Sequence, residues 1–595
     1  MLAKMIKLSD YVFQFLESKG IRQAFMLPGG GAMHLDDSIG KSKIEYVCFL
    51  HEQGAAIAAE AYAQHTNTPG LVLVTSGPGA TNAITGVTAG WIDSTPMIII
   101  SGQSKRSDLV GDRGVRQIGS QEVQIVPMVT PITKYAVQVL EPTRIRYHLE
   151  KAYHEATTGR PGPVWLDIPL DVQAVMLDEN ALEGYMPQDR GVKFVDSELG
   201  EILSLLEEAK KPLVLAGNGI KLAGGTELLY KLLDRTGIPV QTTWKTIDMF
   251  GENEALYAGH PGIMGDRGAN LILQEADLIL SIGCRLDTSV TAFNDKNFGK
   301  NAKKVIVDID ENEIKRMEVD KEVTVACDAK VFLQQLLAQL EERQDTLLTA
   351  DRKGIWEQWA GYCREKRKKY PIITKEHGEA EGYVSAYYFI GKLCELLRED
   401  DVIVPESSGG AGEITYQAFR LKRGQKMKNA AGLGSMGFGL PYAIGSCIAN
   451  NGRRTILING DGAFQLNIQE LETLHRLKLP VKMFIWSNEG YASIRSMQRN
   501  NFDGHYVASD RGSGLTMPDI CSVAAAYGFR TLCIHNNAEL DAHLAEIMEN
   551  DEPLLCELKV LPEETVSPRV KAIVGENGKM MSGPLEKMWP FLENS

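Results

Sequence analysis

The chain has 595 residues, of which 44% are hydrophobic and 24% charged, with 77 acidic against 63 basic side chains and a net charge of −14. That length predicts three or four domains, each able to bury its own core. The acidic balance excludes nucleic acid as a partner, since phosphate backbones are bound by basic patches, and no apolar run reaches the roughly 20 residues of a membrane helix.

From the N-terminus, Leu8, Val12, Phe15 and Leu16 recur at helical spacing, with Gly20 placed as a C-cap. The apolar stretch to Met26 runs into Leu27, Pro28, Gly29, Gly30 and Gly31, which reads either as a turn or as a loop open to close approach of a ligand. Residues 46–50 form a short buried-strand pattern that ends in His51, Glu52, Gln53 and Gly54, before an alanine-rich helix at 55–63. A glutamate there can serve the helix dipole alone. Residues 71–75 and 97–101 repeat the strand pattern, the first followed by Ser76, Gly77, Pro78, Gly79, Ala80, Thr81 and Asn82, and 159–169 brings a loop and a last strand. Alternating strands and helices predict a doubly wound α/β unit over 1–180 with a mostly parallel sheet.

The pattern lapses over 176–195, which reads as a linker. A second α/β unit is expected at 190–345, where strands at 213–216, 278–282 and 305–307 run into Gly217, Gly283 and Asp308. Such ends suit a nucleotide, although a glycine after a strand is common. Residues 344–371 turn polar, with a basic run at 364–369, and read as a solvated helical face and second linker. The third unit, 375–560, has strands at 402–404, 455–459, 481–486 and 554–558, and a glycine-rich loop that carries Gly434 and Met436. The segment 561–595 keeps Met580, Met581, Leu585, Met588, Trp589 and Phe591 and reads as a lid, a strap between subunits or an anchor. Nine scattered cysteines with no CxxC indicate neither a disulfide framework nor zinc, and no signal-peptide pattern opens the chain, so a cytoplasmic location is expected.

Two strands of the third unit end in polar tips: Gly460, Asp461, Gly462 and Ala463 after one, Ser487, Asn488, Glu489 and Gly490 after the other. Parallel sheets gather ligands beyond the carboxyl ends of their strands, so such tips converge. An Asp carboxylate, an Asn amide oxygen and a turn carbonyl near Gly490 offer three hard oxygens to Mg²⁺ or Ca²⁺ and leave room for a diphosphate. Gly460 and Gly462 let the backbone approach phosphate, and a helical pattern from about Leu466 supplies amides. GDG alone is a common turn. Paired with Asn488 it is a candidate metal–diphosphate clamp.

This pairing is similar to the thiamine diphosphate (ThDP) fingerprint. HEQGA at 51–55, TSGPGATN at 75–82, DSTP at 93–96, GRPGPVWLDIP at 159–169 and LGSMGFGLP at 433–441 resemble, in the same order, motifs of the ThDP-dependent acetohydroxyacid synthase group, over nearly the whole chain. The resemblance implies pyrimidine-binding, central and diphosphate-binding domains, with active sites between subunits and hence a homodimer or homotetramer. It implies ThDP held at Glu52, Pro78, Asn82, Gly434, Met436, Gly460, Asp461, Gly462, Ala463 and Asn488, with Mg²⁺ at Asp461, Asn488 and Gly490. Glu52 and Gln121 are the implied catalytic residues, Glu52 bonding the aminopyrimidine ring so that its nitrogen takes the proton from the thiazolium C2. Met436 is the implied wedge that bends the cofactor. FAD is implied in the central domain at Arg160, Gly217, Met264, Gly265, Arg285, Asp308 and Asp328; the alternative is a central domain without flavin.

The departures fall around the second substrate. Where the group has Gly-Ala-Arg-Phe-Asp-Asp-Arg, whose last arginine holds the carboxylate of a second keto acid, this chain has Gly283, Cys284, Arg285, Leu286, Asp287, Thr288 and Ser289. A serine replaces neither the charge nor the fork of arginine. Pro-Lys-Asp reads Pro169, Leu170, Asp171; Ala-Phe-Gln-Glu reads Gly119, Ser120, Gln121, Glu122; and a pocket Trp appears as Met497. The expectation is a decarboxylase and carboligase that takes a 2-keto acid such as pyruvate as donor and an aldehyde or keto-sugar as acceptor. The alternatives are a true acetolactate synthase with Lys134, Arg113 or Arg116 replacing the arginine, a cyclic-diketone hydrolase, and an inactive regulatory homologue.

Overall fold

A computed structural model of the protein describes residues 5–187, 196–574 and 580–592; the end of the expected first linker lies outside them. Three parallel sheets form the frame. The first runs in the order Glu45–Cys48, Gln23–Met26, Gly70–Val74, Met97–Gln103, Pro163–Pro169, Tyr135–Gln138. The second is Val240–Thr242, Pro212–Ala216, Leu278–Ile282, Lys303–Asp308, Val323–Ala326. The third is Lys426–Met427, Val402–Pro405, Thr455–Gly460, Val481–Ser487, Leu554–Lys559, Arg530–Ile534. Strands Gly70–Val74, Met97–Gln103 and Pro163–Pro169 are buried at every residue, as strands covered by helices on both faces require.

The first and third units share one core. Its seam is a helix pair, Glu52–Thr66 against Gly439–Ala449, and the alanines expected at 55–63 explain how close the two come. A Cβ at Gly445 would stand 2.2 Å from the Ala58 carbonyl oxygen, so only glycine fits that crossing. Lys245 of the second unit ties all three together: its Nζ donates to Gln64 Oε1 (2.9 Å), Asp93 Oδ2 (2.8 Å) and the Asn429 carbonyl (2.7 Å).

Three sequence expectations are corrected. The polar stretch 344–371 is no solvated linker: it holds the helix Ala350–Lys369, which buries Trp356, Trp359, Ala360 and Cys363. Both indoles donate to backbone carbonyls of the second unit, Trp356 to Ala209 at 2.9 Å and Trp359 to Pro212 at 3.0 Å. Met176–Asp178, read as the start of a linker, is a strand antiparallel to Met5–Lys7. The helix expected near Leu466 begins five residues earlier, at Asp461.

The C-terminal segment anchors on the second unit. Leu585 and Met588 enter its core, Arg267 donates to the carbonyls of Met588 (3.1 Å) and Pro590 (2.6 Å), and Asn270 Nδ2 donates to the Leu585 carbonyl (3.1 Å).

Candidate active site

Strands Thr455–Gly460 and Val481–Ser487 are neighbours in register, Gly460 opposite Trp486, so their tips meet. Asp461 is 1% exposed. Its Oδ2 accepts from the N–H groups of Asn488 (3.1 Å) and Gly490 (3.2 Å), and its Oδ1 from Gly462 (2.8 Å). Burial nonetheless pushes the carboxyl up to about 6. Asn488 Oδ1 is buried without a hydrogen-bond partner, an omission that costs roughly 1–3 kcal/mol unless something fills it. A buried carboxylate beside an orphaned amide oxygen fits a hard divalent cation such as Mg²⁺. Around Gly460 a Cβ would meet nothing within 4 Å, which leaves space for a ligand; a Cβ on Gly462 would strike the Tyr491 ring at 2.4 Å, so that glycine serves packing. Ala463 is buried behind them.

Glu52, 7% exposed, opens the helix Glu52–Thr66, and His51 caps it by accepting from the Gln53 N–H. Its Oε2 accepts from Asn82 Nδ2 at 2.9 Å. Asn82 lies on the helix Pro78–Ile92, which Pro78 begins, so Glu52, Pro78 and Asn82 share one corner. A Cβ at Gly77 would stand 2.3 Å from the Gln121 carbonyl oxygen, which seats the Gln121 loop on the turn before Pro78, with Gln121 itself at φ 57°. Buried Glu122 holds that loop by accepting from the N–H groups of Val110, Ile118 and Gly119. Met436 is half-buried, two residues after Gly434 at φ 64°. Sequence reasoning missed Asn467, whose Nδ2 donates to the Gly437 carbonyl (2.7 Å) and to Gln53 Oε1 (3.1 Å), joining the Met436 loop to the residue after Glu52. A lone asparagine outside any motif gave no signal.

A cavity of about 580 Å³ opens where the three units meet, and Arg160, Arg285, Asp308 and Asp328 line it. Arg160 Nη1 is paired with Asp310 (3.0 Å) and Glu313 (2.9 Å), and burial pushes Asp308 up to about 6. Its volume is that of a cofactor cleft. The carboxylates Asp308 and Asp328 suit the hydroxyls of a dinucleotide, while Gly219 and Gly283 pack on each other, a Cβ on either standing 2.8 Å from the other's Cα. Gly217, Met264 and Gly265 stand outside the lining. A Cβ at Gly217 would strike the Gly283 carbonyl at 2.1 Å and one at Gly265 the His260 carbonyl at 2.4 Å, so these glycines answer to packing. Met264 packs against the core of the third unit.

Ser289 also lines this cavity, on the short helix Thr288–Thr291. Asp287 caps that helix and pairs with Arg285 Nη2 at 3.1 Å, while Arg285 Nη1 donates to the Ile92 carbonyl at 3.2 Å. Asp171, beside Leu170, is bound by Arg106 through its backbone N–H (2.9 Å) and Nε (2.7 Å). Lys134 donates to the Thr158 carbonyl at 2.7 Å, Arg113 and Arg116 are exposed, and Met497 is 55% exposed on the helix Ala492–Asn501.

Three family models match in order: the thiamine pyrophosphate enzyme N-terminal TPP binding domain at residues 6–127, the central domain at 199–336 and the C-terminal TPP binding domain at 408–558. The chain is similar to a probable acetolactate synthase large subunit of Methanococcus aeolicus (31% identity, 94% of this chain and 93% of the relative). It is similar also to the acetolactate synthase large subunit of Lactococcus lactis (31%, 95% and 94%) and to a probable chloroplastic acetolactate synthase 2 of Oryza sativa (32%, 94% and 84%).

Proposed function

Because this chain belongs to the thiamine pyrophosphate enzyme family, in its acetolactate synthase group, we propose that it joins a two-carbon unit from a 2-keto acid such as pyruvate to an uncharged carbonyl acceptor, an aldehyde or keto-sugar, rather than to a second keto acid. ThDP, when bound, supplies the electron sink for decarboxylation and carbon–carbon bond formation. Asp461 and Asn488 would hold Mg²⁺ and through it the diphosphate, with the Gly490 turn beside them. Glu52, buried and oriented by Asn82, would hold a proton at the pyrimidine ring. Gln121 would face the substrates from its loop on Gly77, and Met436 would contact the thiazolium. Arg160, Arg285, Asp308 and Asp328 would hold FAD, structurally and without net redox; a flavin absorption band in the purified protein tests this. With the active site shared between subunits, the working unit is at least a homodimer. All nine cysteines are free, in keeping with a reducing cytoplasm.

The observation that carries the acceptor reading is the Ser289 corner. Serine stands where the group's arginine would meet a carboxylate, and neighbouring Arg285 is already committed to Asp287 and Ile92. A carboxylate brought there would lack a charge-assisted partner, a loss of roughly 2 kcal/mol or more, at least about tenfold in relative rate. The second reading, acetolactate formation from two pyruvates, is favoured by the names of the relatives. Ser289→Arg combined with Leu170→Lys decides between them: a rise in acetolactate made per pyruvate consumed supports the acceptor reading, and an unchanged product ratio counts against it.

A further inference from the structure

A second cavity, of about 200 Å³, shares Asn218 and Leu222 with the first and lies where the first unit (His65), the second (Lys221, Asp248) and the third (Lys426, Lys428) come together. Its charge is unbalanced. Three lysine amines face one carboxylate, Asp248, whose side chain is 1% exposed and already in contact with Lys221. Lys428 is 4% exposed; its Nζ has the Lys245 carbonyl at 3.3 Å and Asp248 Oδ2 at 4.0 Å. Lys221 Nζ turns to the same carbonyl at 3.4 Å. A lysine amine carries several N–H donors, so buried Lys428 and half-buried Lys221 converge here on one shared carbonyl and one shared carboxylate. Lys426, exposed on the edge strand, adds a third positive charge at the rim.

Two other polar groups of the lining are already engaged. The Tyr230 hydroxyl donates to the Met249 carbonyl at 2.6 Å, and His65 Nε2 is 3.1 Å from Ser446 Oγ. Burial and the surrounding lysines hold His65 down at about 3, so it stays neutral and adds no charge of its own. Burial and Lys221 depress Lys428 in the same way, a cost that a bound anion would relieve.

We propose that this junction binds a small phosphate-class dianion, gripped by Lys221, Lys428 and Lys426 from two units at once. The space has room for a phosphoryl group with a small substituent, and a tetrahedral oxyanion offers several acceptors to converging N–H donors. Because its walls come from all three units, occupancy would hold them in one arrangement.

Isothermal titration of the full chain saturated with ThDP and Mg²⁺, using inorganic phosphate at constant ionic strength, tests this. Saturable binding is expected in the unmodified protein, weakened about tenfold by Lys426→Gln, which removes an exposed side chain and leaves the buried Lys221–Asp248 pair intact. Lys231→Gln, an exposed lysine outside the cavity, should leave it unchanged. Tighter binding of phosphate than of glycerol 3-phosphate marks the free ion as the ligand, and the reverse marks a phosphorylated metabolite; either supports the site. Absence of saturable binding, equal affinity in all three proteins, or equal affinity for succinate would overturn it.

Discussion

Glu52 and Asn82 come from the starts of two helices and meet through one hydrogen bond of 2.9 Å. An amide keeps that shape but cannot carry a proton, so Glu52→Gln should bind ThDP with little change and lose turnover by two orders of magnitude or more, within the roughly 10²–10⁴ ascribed to general acid–base groups. Steady-state rates with pyruvate beside a cofactor titration check this; a near-normal rate removes Glu52 from its role. Glu60 is a different kind of carboxyl. Fully buried, it accepts from Gln64 and from Thr95 Oγ1, and burial pushes it up to about 7, with the Asp93 charge adding and Lys245 opposing. A carboxyl raised on folding contributes stability below its unfolded value near 4.5 and loses it as pH rises through about 7. The stability of the unmodified protein relative to Glu60→Gln should therefore fall between pH 5 and 8, as thermal unfolding at each pH would show; a flat difference would contradict a raised Glu60. At this scale the meeting of Asp461 with Asn488 and Gly490 was legible, because carboxylate, amide and glycine sit in fixed short motifs. Glu60 was not: one acid in an alanine-rich helix resembles any surface residue until a second helix covers it.

Among elements, the buried strands were the easiest to read. Leu278–Ile282 falls where its apolar run predicts, since strands covered on both faces need such runs. The helix Ala350–Lys369 defeated the same reading. Its buried set, Trp356, Trp359, Ala360 and Cys363, follows helical spacing, but the basic residues around it dominate the composition. Lys366 and Arg367 are paired rather than solvated, with Glu275 (2.9 Å) and Glu252 (2.9 Å). Trp356, with no exposed surface, should carry much of the docking: Trp356→Ala is expected to cost about 3–5 kcal/mol, read as a shifted denaturant midpoint. A change below about 1 kcal/mol would restore the solvated-linker reading.

In the whole molecule, the first and third α/β units share a core and Lys245 ties the second to both, and the proposed function rests on kept cofactor motifs beside a serine at 289. The sequence carried this contrast because cofactor motifs are contiguous. The closeness of the units was not legible, since it depends on contacts such as Gly445 on Ala58 and Asn467 on Gln53 between distant positions. The most direct test of the central claim is product analysis of the unmodified enzyme, loaded with ThDP and Mg²⁺, given pyruvate alone and then pyruvate with an equal concentration of a neutral aldehyde. The Ser289 corner predicts slow acetolactate formation from pyruvate alone and a mixed product, at least about tenfold faster, once the aldehyde is present. Rapid acetolactate formation, undiminished by the aldehyde, would contradict it and make the chain an acetolactate synthase in the plain sense.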